Sequence, residues 1–446
     1  MFSFTRTPSS CARRPISQFA LAIALVTGAT LGVTALEAPA HAAKKDKKKK
    51  KEAEAPKADY SKGFVAAYSP LNDLFQVEPK DNAAIAAGLP ALEAAVETPD
   101  DRFAAGNLIY AFGRSSSNNA LQRKGVDMML ESGKVPAEAL GDYYFLVGQL
   151  AYQDKDWEVS RARLLAALDA GFDNTDPQAI IAETYFSQDK YAEGLEYLAA
   201  EINKRVAAGK EVDQTWLQRG ISISYRNDIS ETAGAFARMN AKLFPDRNSW
   251  GDAIAIERNF NDFDIQETLD LMRLAQRTGS LRNERDYVDY IEAADPRRLP
   301  GEVTSAVEEG LAAGLLNATD LFISESQDTA KARLRADQAE LPALASDARK
   351  PAATAVTVTA AGDAFLSYGE AAQAEEMYTI ALTKPGADMP RVMTRLGIAQ
   401  VDLGKIEEAR ETFAKINGKR APIAKLWAVY ADQKASPAPV ETASAQ

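Results

Sequence analysis

Residues 395–413 read Arg395-Leu396-Gly397-Ile398-Ala399-Gln400, then Val401-Asp402-Leu403, then Gly404-Lys405-Ile406-Glu407-Glu408-Ala409-Arg410-Glu411-Thr412-Phe413. Apolar side chains recur at three- and four-residue spacing on either side of Gly404, the period of an amphipathic helix. Gly404-Lys405 breaks that period and marks a turn. The stretch therefore predicts two short helices folded back on each other. Gly397 lies on the first, and Ala409 and Phe413 share one face of the second. Small residues at the contact let two backbones approach, and bulky ones fill the gap beside them.

The same grammar extends outward. Gly362 and Phe365 precede Ala374, Tyr378 and Ala381, and Gly362 stands 35 residues before Gly397. In the N-terminal half, Tyr144, Val147 and Gly148 precede Ser160, Leu164 and Ala167. Ala182 and Tyr185 follow, with Ala182 placed 34 residues after Gly148, and then Gly194 and Leu198. Trp216, Gly220 and Ile223 precede Thr232 or Ala233, then Phe236 and a Phe244-Pro245 stop. A helical hairpin cannot cover its own apolar faces, so such units must stack.

Over residues 142–245 and 358–417 the chain resembles the tetratricopeptide repeat (TPR) family, whose unit is 34 residues. The resemblance implies an all-α superhelical array. The helical patterns at 59–141 and 246–357 fit its continuation. Pro342 and Pro351 bracket an expected hinge between two sub-arrays, 59–345 and 346–433, because proline ends or kinks a helix. No strand-period pattern longer than a few residues occurs; Ala355 to Thr359 comes nearest and fits a helix better.

The chain has one Cys, Cys11, and one His, His41. Both fall in a segment that reads as a secretory signal. Arg6, Arg13 and Arg14 form its basic part, Phe19 to Leu36 its apolar part, and Ala40 and Ala42 its small-residue cleavage site. Cleavage near Ala42 places the protein in the periplasm or outside the cell; the alternative is an uncleaved segment that anchors the chain. The remainder then has no thiol nucleophile, disulfide, His-dependent triad or usual zinc ligand set. No metal and no cofactor is expected.

Charge is segregated. Residues 43–58 form a lysine-rich linker with eight lysines and three acids, whereas the body beyond holds 41 basic and 59 acidic residues, a net −18. This balance and the export signal argue against nucleic acid. The Lys44–Lys51 run is read either as a soluble spacer or as a weak contact with an anionic envelope surface. Residues 434–446 have the composition of a disordered tail.

Apparent catalytic motifs are weak. Ser187-Gln188-Asp189-Lys190 has Ser-x-x-Lys spacing but no partner motif and falls on a repeat turn. Gly404-Lys405 lacks the Ser or Thr of a phosphate loop. Ile323-Ser324-Glu325-Ser326 has the Glu-Ser pair of some solenoid-bearing lytic transglycosylases but not their downstream motif. Asp169, Asp173 and Asp176 lack a calcium-loop pattern. No catalytic residue is assigned.

The TPR resemblance implies a ligand groove lined by the first helix of each hairpin. Matching positions are Phe145, Gln149 and Tyr152, then Glu183 and Phe186, then Leu217, Ile221 and Ser224. The basic clamp with which some relatives grip a carboxylate is replaced here by Phe, Ala, Glu and Ile. The expected function is a periplasmic scaffold that binds an envelope protein or peptide without catalysis. Two alternatives are a module that binds a glycan or a peptidoglycan fragment by stacking sugars on Trp157, Trp216, Trp250 or Trp427, and a carboxylate-only hydrolase.

Overall fold

A computed structural model describes residues 58–435; the expected signal (1–42), nearly all of the lysine-rich linker and the last residues of the tail lie outside the described residues. Among the described residues there are twenty α-helices, two one-turn 3-10 helices and no strand. The first helices pair as α1 (Lys62–Gln76) with α2 (Asn82–Ala94), α3 (Pro99–Ser115) with α4 (Asn119–Glu131), and α5 (Leu140–Gln153) with α6 (Trp157–Asp169). Then come α7 (Gln178–Phe186) with α8 (Tyr191–Ala207) and α9 (Gln214–Arg226) with α10 (Ser230–Leu243). Helices α11 (Arg247–Phe260), α12 (Ile265–Arg277), α13 (Glu284–Ala294), α14 (Pro300–Ala312) and α15 (Leu321–Ala348) follow. The chain ends in α16 (Ala355–Ser367) with α17 (Ala371–Leu382), α18 (Met389–Asp402) with α19 (Ile406–Ala414), and α20 (Ala421–Ala435). Each helix packs on the next along the chain.

Local chemistry sets the helix starts. Ser61, Thr98, Asn118, Asp246, Asp264 and Thr354 accept hydrogen bonds from first-turn N–H groups that would otherwise lack partners. Six hairpins share one turn. A residue at φ +53° to +73° (Ser117, Lys155, Asp189, Asp228, Gly369 or Gly404) reverses the chain. The next residue's N–H then bonds to the carbonyl five positions back, as in Asp156 to Ala151 (2.9 Å), Ile229 to Ser224 (2.9 Å) and Lys405 to Gln400 (2.9 Å). This is the left-handed helix ending that satisfies terminal carbonyls.

The hairpin contact is equally regular. A Cβ built at Gly148 would lie 2.7 Å from Leu164, at Gly220 2.4 Å from Phe236, at Gly362 2.6 Å from Tyr378 and at Gly397 2.4 Å from Phe413. In each case the partner lies sixteen residues on. The second helix thus rests directly on the first helix's backbone, as the spacing of small and large residues requires.

Residues 246–357 are helical but depart from this plan. Gly251 faces Arg282, and Gly310 faces Leu316 and Tyr287, rather than a residue sixteen positions on. Pro342 lies inside α15, which continues through it, so the boundary drawn at residue 345 falls within a helix. One hydrophobic core runs from Ala233 to Ala431 and draws residues from both sides of that boundary. Within it α20 packs on α10, α11, α12, α18 and α19, so the last helix meets helices nearly two hundred residues earlier.

Candidate partner-binding face and a buried ionic centre

The expected groove residues lie on α5, α7 and α9, the first helices of three successive hairpins. Phe145 is half-buried and stacks on Phe172 with ring centroids 4.3 Å apart. Gln149 and Ile221 are half-buried. Tyr152 is also half-buried and meets Trp157 edge-on at 5.1 Å. Glu183 is buried and accepts both Nε and Nη2 of Arg219, at 2.5 and 2.7 Å. The Arg219 guanidinium also lies 5.6 Å from the centre of the Phe186 ring. Phe186 (6% exposed) and Leu217 (0%) are core residues, and Ser224 spends its hydroxyl on the Gly220 carbonyl.

The structure therefore gathers Tyr152, Glu183 and Phe186 with Arg219, a residue that the repeat spacing did not single out. Burial raises the Tyr152 pKa first, and the Glu183 carboxylate adds to it while Arg219 opposes it. The neutral phenol at pH 7 is a hydrogen-bond donor and acceptor with an apolar ring, a side chain well suited to recognition.

Ion pairs and side-chain hydrogen bonds between successive units recur at about one repeat length. Arg123 reaches Asp154 at a separation of 31 residues, Arg219 reaches Glu183 at 36, Arg258 reaches Asp289 at 31 and Gln276 reaches Glu309 at 33. Arg349 to Glu376 (27) and Lys405 to Glu375 (30) continue the ladder. Within residues 246–357 such contacts join α11 to α13 and α12 to α14, although the glycine pattern is absent there.

A second cluster is buried except for Arg391, which is half-buried. Asp270 Oδ1 accepts Arg273 Nη1 (3.1 Å) and Arg395 Nε (3.0 Å), its Oδ2 accepts Arg420 Nη1 (2.5 Å), and its backbone carbonyl accepts Trp427 Nε1 (3.0 Å). Asp363 accepts Arg395 (2.6 Å), Arg391 (2.8 Å) and the Tyr378 hydroxyl (2.8 Å). Glu302 Oε1 accepts Arg273 twice, at 2.9 and 2.6 Å. Burial alone would raise the Asp270 and Asp363 pKa values, but the arginines outweigh it and hold both carboxyls below their ordinary value. The cluster ties α12, α14, α16 and α18 to the one-turn helix Gly418–Arg420 that leads into α20.

Sequence reasoning did not find this centre. Its partners are as much as 150 residues apart. One local signal was present: Arg395 shares a helix face with Val392 and Ala399, so a charge interrupts an apolar stripe.

The remaining candidate residues fall as follows. Glu325 is exposed on α15. Of the four tryptophans only Trp157 is half-exposed; Trp216, Trp250 and Trp427 are in the core, where no sugar can stack on them. A shallow depression lined by Arg123, Lys124, Asp127 and Glu131 lies along α4, with its charged groups engaged in the ion pairs between units. No known protein family and no curated protein matches the sequence.

Proposed function

We propose that this chain is a TPR-like superhelical scaffold, exported to the bacterial envelope, that holds a partner protein or peptide on the face of α5, α7 and α9 and makes or breaks no bond. The observation that carries this reading is the repetition itself: one turn and one sixteen-residue packing contact recur along the chain. Such arrays present long ladders of side chains, and their usual use is recognition. The described body also contains neither Cys nor His, which removes thiol nucleophiles and imidazole bases.

Recognition would centre on Phe145, Gln149, Tyr152 and Ile221, with the Glu183–Arg219 pair supplying polarity. Phe186 and Leu217 support that face from beneath. An amphipathic helix or an extended segment fits such a mixed strip. The test is in-cell cross-linking in the native envelope, followed by purification of the protein. One or two envelope proteins are expected. Their recovery is expected to fall roughly tenfold or more with Tyr152→Ala plus Arg219→Ala, as for truncation of interface anchors; because Arg219 pairs with the buried Glu183, the melting temperature falls as well, and circular dichroism at the assay temperature checks that the helices remain intact. Recovery of cell-wall material alone, or of a partner indifferent to those changes, refutes the assignment.

A further inference from the structure

Between α19 and the one-turn helix that delivers Arg420 to the ionic centre lies Asn417-Gly418, the single Asn-Gly pair in the sequence. Gly418 stands at φ +69°, a conformation that disfavours a side chain, so the turn itself calls for glycine there. With no Cβ at that position, the preceding side chain has an open approach to the Gly418 amide nitrogen. That N–H donates to no acceptor among the described residues, and both Asn417 and Gly418 are exposed. The Asn417 carboxamide makes one bond, from Nδ2 to the Lys415 carbonyl (3.2 Å). Asparagines at other turns and helix starts are more firmly engaged. Asn118, Asn283 and Asn317 each accept a backbone N–H on Oδ1, at 3.1, 3.1 and 2.9 Å.

The chain on either side of the pair is tightly held. Ile416 before it and Arg420 after it are each 5% exposed. Arg420 Nη1 donates to Asp270 Oδ2 (2.5 Å), and Lys419 Nζ donates to the Asp262 carbonyl (2.5 Å). The Ala421 N–H closes the one-turn helix on the Gly418 carbonyl, and α20 with its buried Trp427 leaves from there. Residues 417–419 thus bridge two buried anchors. An extra main-chain atom between such anchors has little slack to take it up, because a close-packed interior transmits the strain instead of absorbing it.

We propose that Asn417-Gly418 is a self-modifying site, at which spontaneous conversion of Asn417 to isoaspartate unfastens Arg420 from Asp270. Rotation about the Asn417 Cα–C bond brings the Gly418 nitrogen onto Asn417 Cγ. A bond forms between them, the Cγ–Nδ2 bond breaks, and the Gly418 amide proton leaves with Nδ2 as ammonia. Water then opens the cyclic imide at either carbonyl. Opening at the side-chain carbonyl yields ordinary aspartate. Opening at the main-chain carbonyl yields isoaspartate, whose backbone runs through Cβ and Cγ and is longer by a methylene. Water is the sole co-reactant. The site is remote from α5, α7 and α9 in sequence and needs no partner, so it stands independently of the partner reading.

The test is incubation of the purified protein in mildly alkaline and mildly acidic buffer, followed over time by ion exchange and peptide mapping. A more acidic form is expected, and it should appear faster in alkaline buffer because the attacking nitrogen must shed its proton. Its tryptic peptide Ile416–Lys419 should carry isoaspartate, read by an isoaspartyl methyl-transfer assay. Asn417→Ser should abolish that form. The isolated isoaspartyl protein should melt several degrees lower, since Asp270 has lost one of its buried countercharges, and its amides should exchange faster in both α12 and α20. Freshly purified Asn417→Asp carries the same new charge on an ordinary backbone and should match the wild type in both measurements. Four results overturn the proposal. They are no conversion at Asn417, conversion at other asparagines just as fast, an isoaspartyl form that melts and exchanges like the wild type, or an Asn417→Asp variant that loses as much. The last would assign the effect to charge and not to backbone length.

Discussion

Asp270 is 0% exposed and receives three guanidinium groups. Its replacement by Asn keeps the volume but leaves Arg273, Arg395 and Arg420 short of a countercharge in the core. Breaking a buried pair in this way costs about 3–5 kcal/mol, so Asp270→Asn should lower the urea midpoint well below that of an exposed control such as Asp328→Asn. The pH dependence has a definite sign. Asp270 and Asp363 have folded pKa values below the unfolded value of about 3.9. Their contribution is therefore fully present above that value and is lost progressively as pH falls from there through the lower folded values. Urea midpoints should be flat near neutrality and drop below about pH 4, with Asp270→Asn showing a shallower drop. An equal slope in both proteins would mean that other carboxylates govern acid unfolding.

The element scale belongs to the shared turn. Four hairpins place a non-glycine residue at positive φ (Ser117, Lys155, Asp189 and Asp228), whereas the two C-terminal ones use Gly369 and Gly404. A side chain in that region costs about 1–2 kcal/mol, less for Asp. Lys155→Gly should accordingly raise the melting temperature slightly and Gly404→Ala should lower it, both readable by calorimetry; the opposite signs would show that these turns relax on substitution. The hairpins were legible because their determinants are local: a small residue, a bulky residue sixteen positions later and a turn between them. The plan of residues 246–357 was not, because Gly251 and Gly310 take other partners, and because α15 absorbs Pro342 with that residue on its exposed side. The candidate face was legible only in outline. Spacing placed Tyr152, Glu183 and Phe186 on successive first helices, but it could not tell that Phe186 and Leu217 pack inward or that Arg219 completes the cluster.

At the scale of the molecule, the arrangement of α10 to α20 departs from a linear array, in which each unit touches only its neighbours. Trp427 is the clearest reporter. It is 0% exposed, donates to the Asp270 carbonyl, stacks on Phe413 at 6.5 Å and meets Tyr430 edge-on at 5.7 Å. Asp432 and Gln433 hold the far end of the same helix, through Lys242 and Arg410 and through the Ala241 carbonyl. Trp427→Ala removes a large buried side chain and should cost about 3–5 kcal/mol. The pattern of the loss matters more than its size. If α20 closes this half of the chain on itself, amide exchange should accelerate in α10, α11, α12 and α18 as well as in α19, while α3 to α8 keep their protection. If the half behaves as a linear array, the acceleration should stay within α18 to α20. Cooperative loss across helices some two hundred residues apart would mean that partner-induced strain in α9 or α10 reaches the C-terminal helix through packed side chains, whereas local loss would confine any such response to neighbouring hairpins.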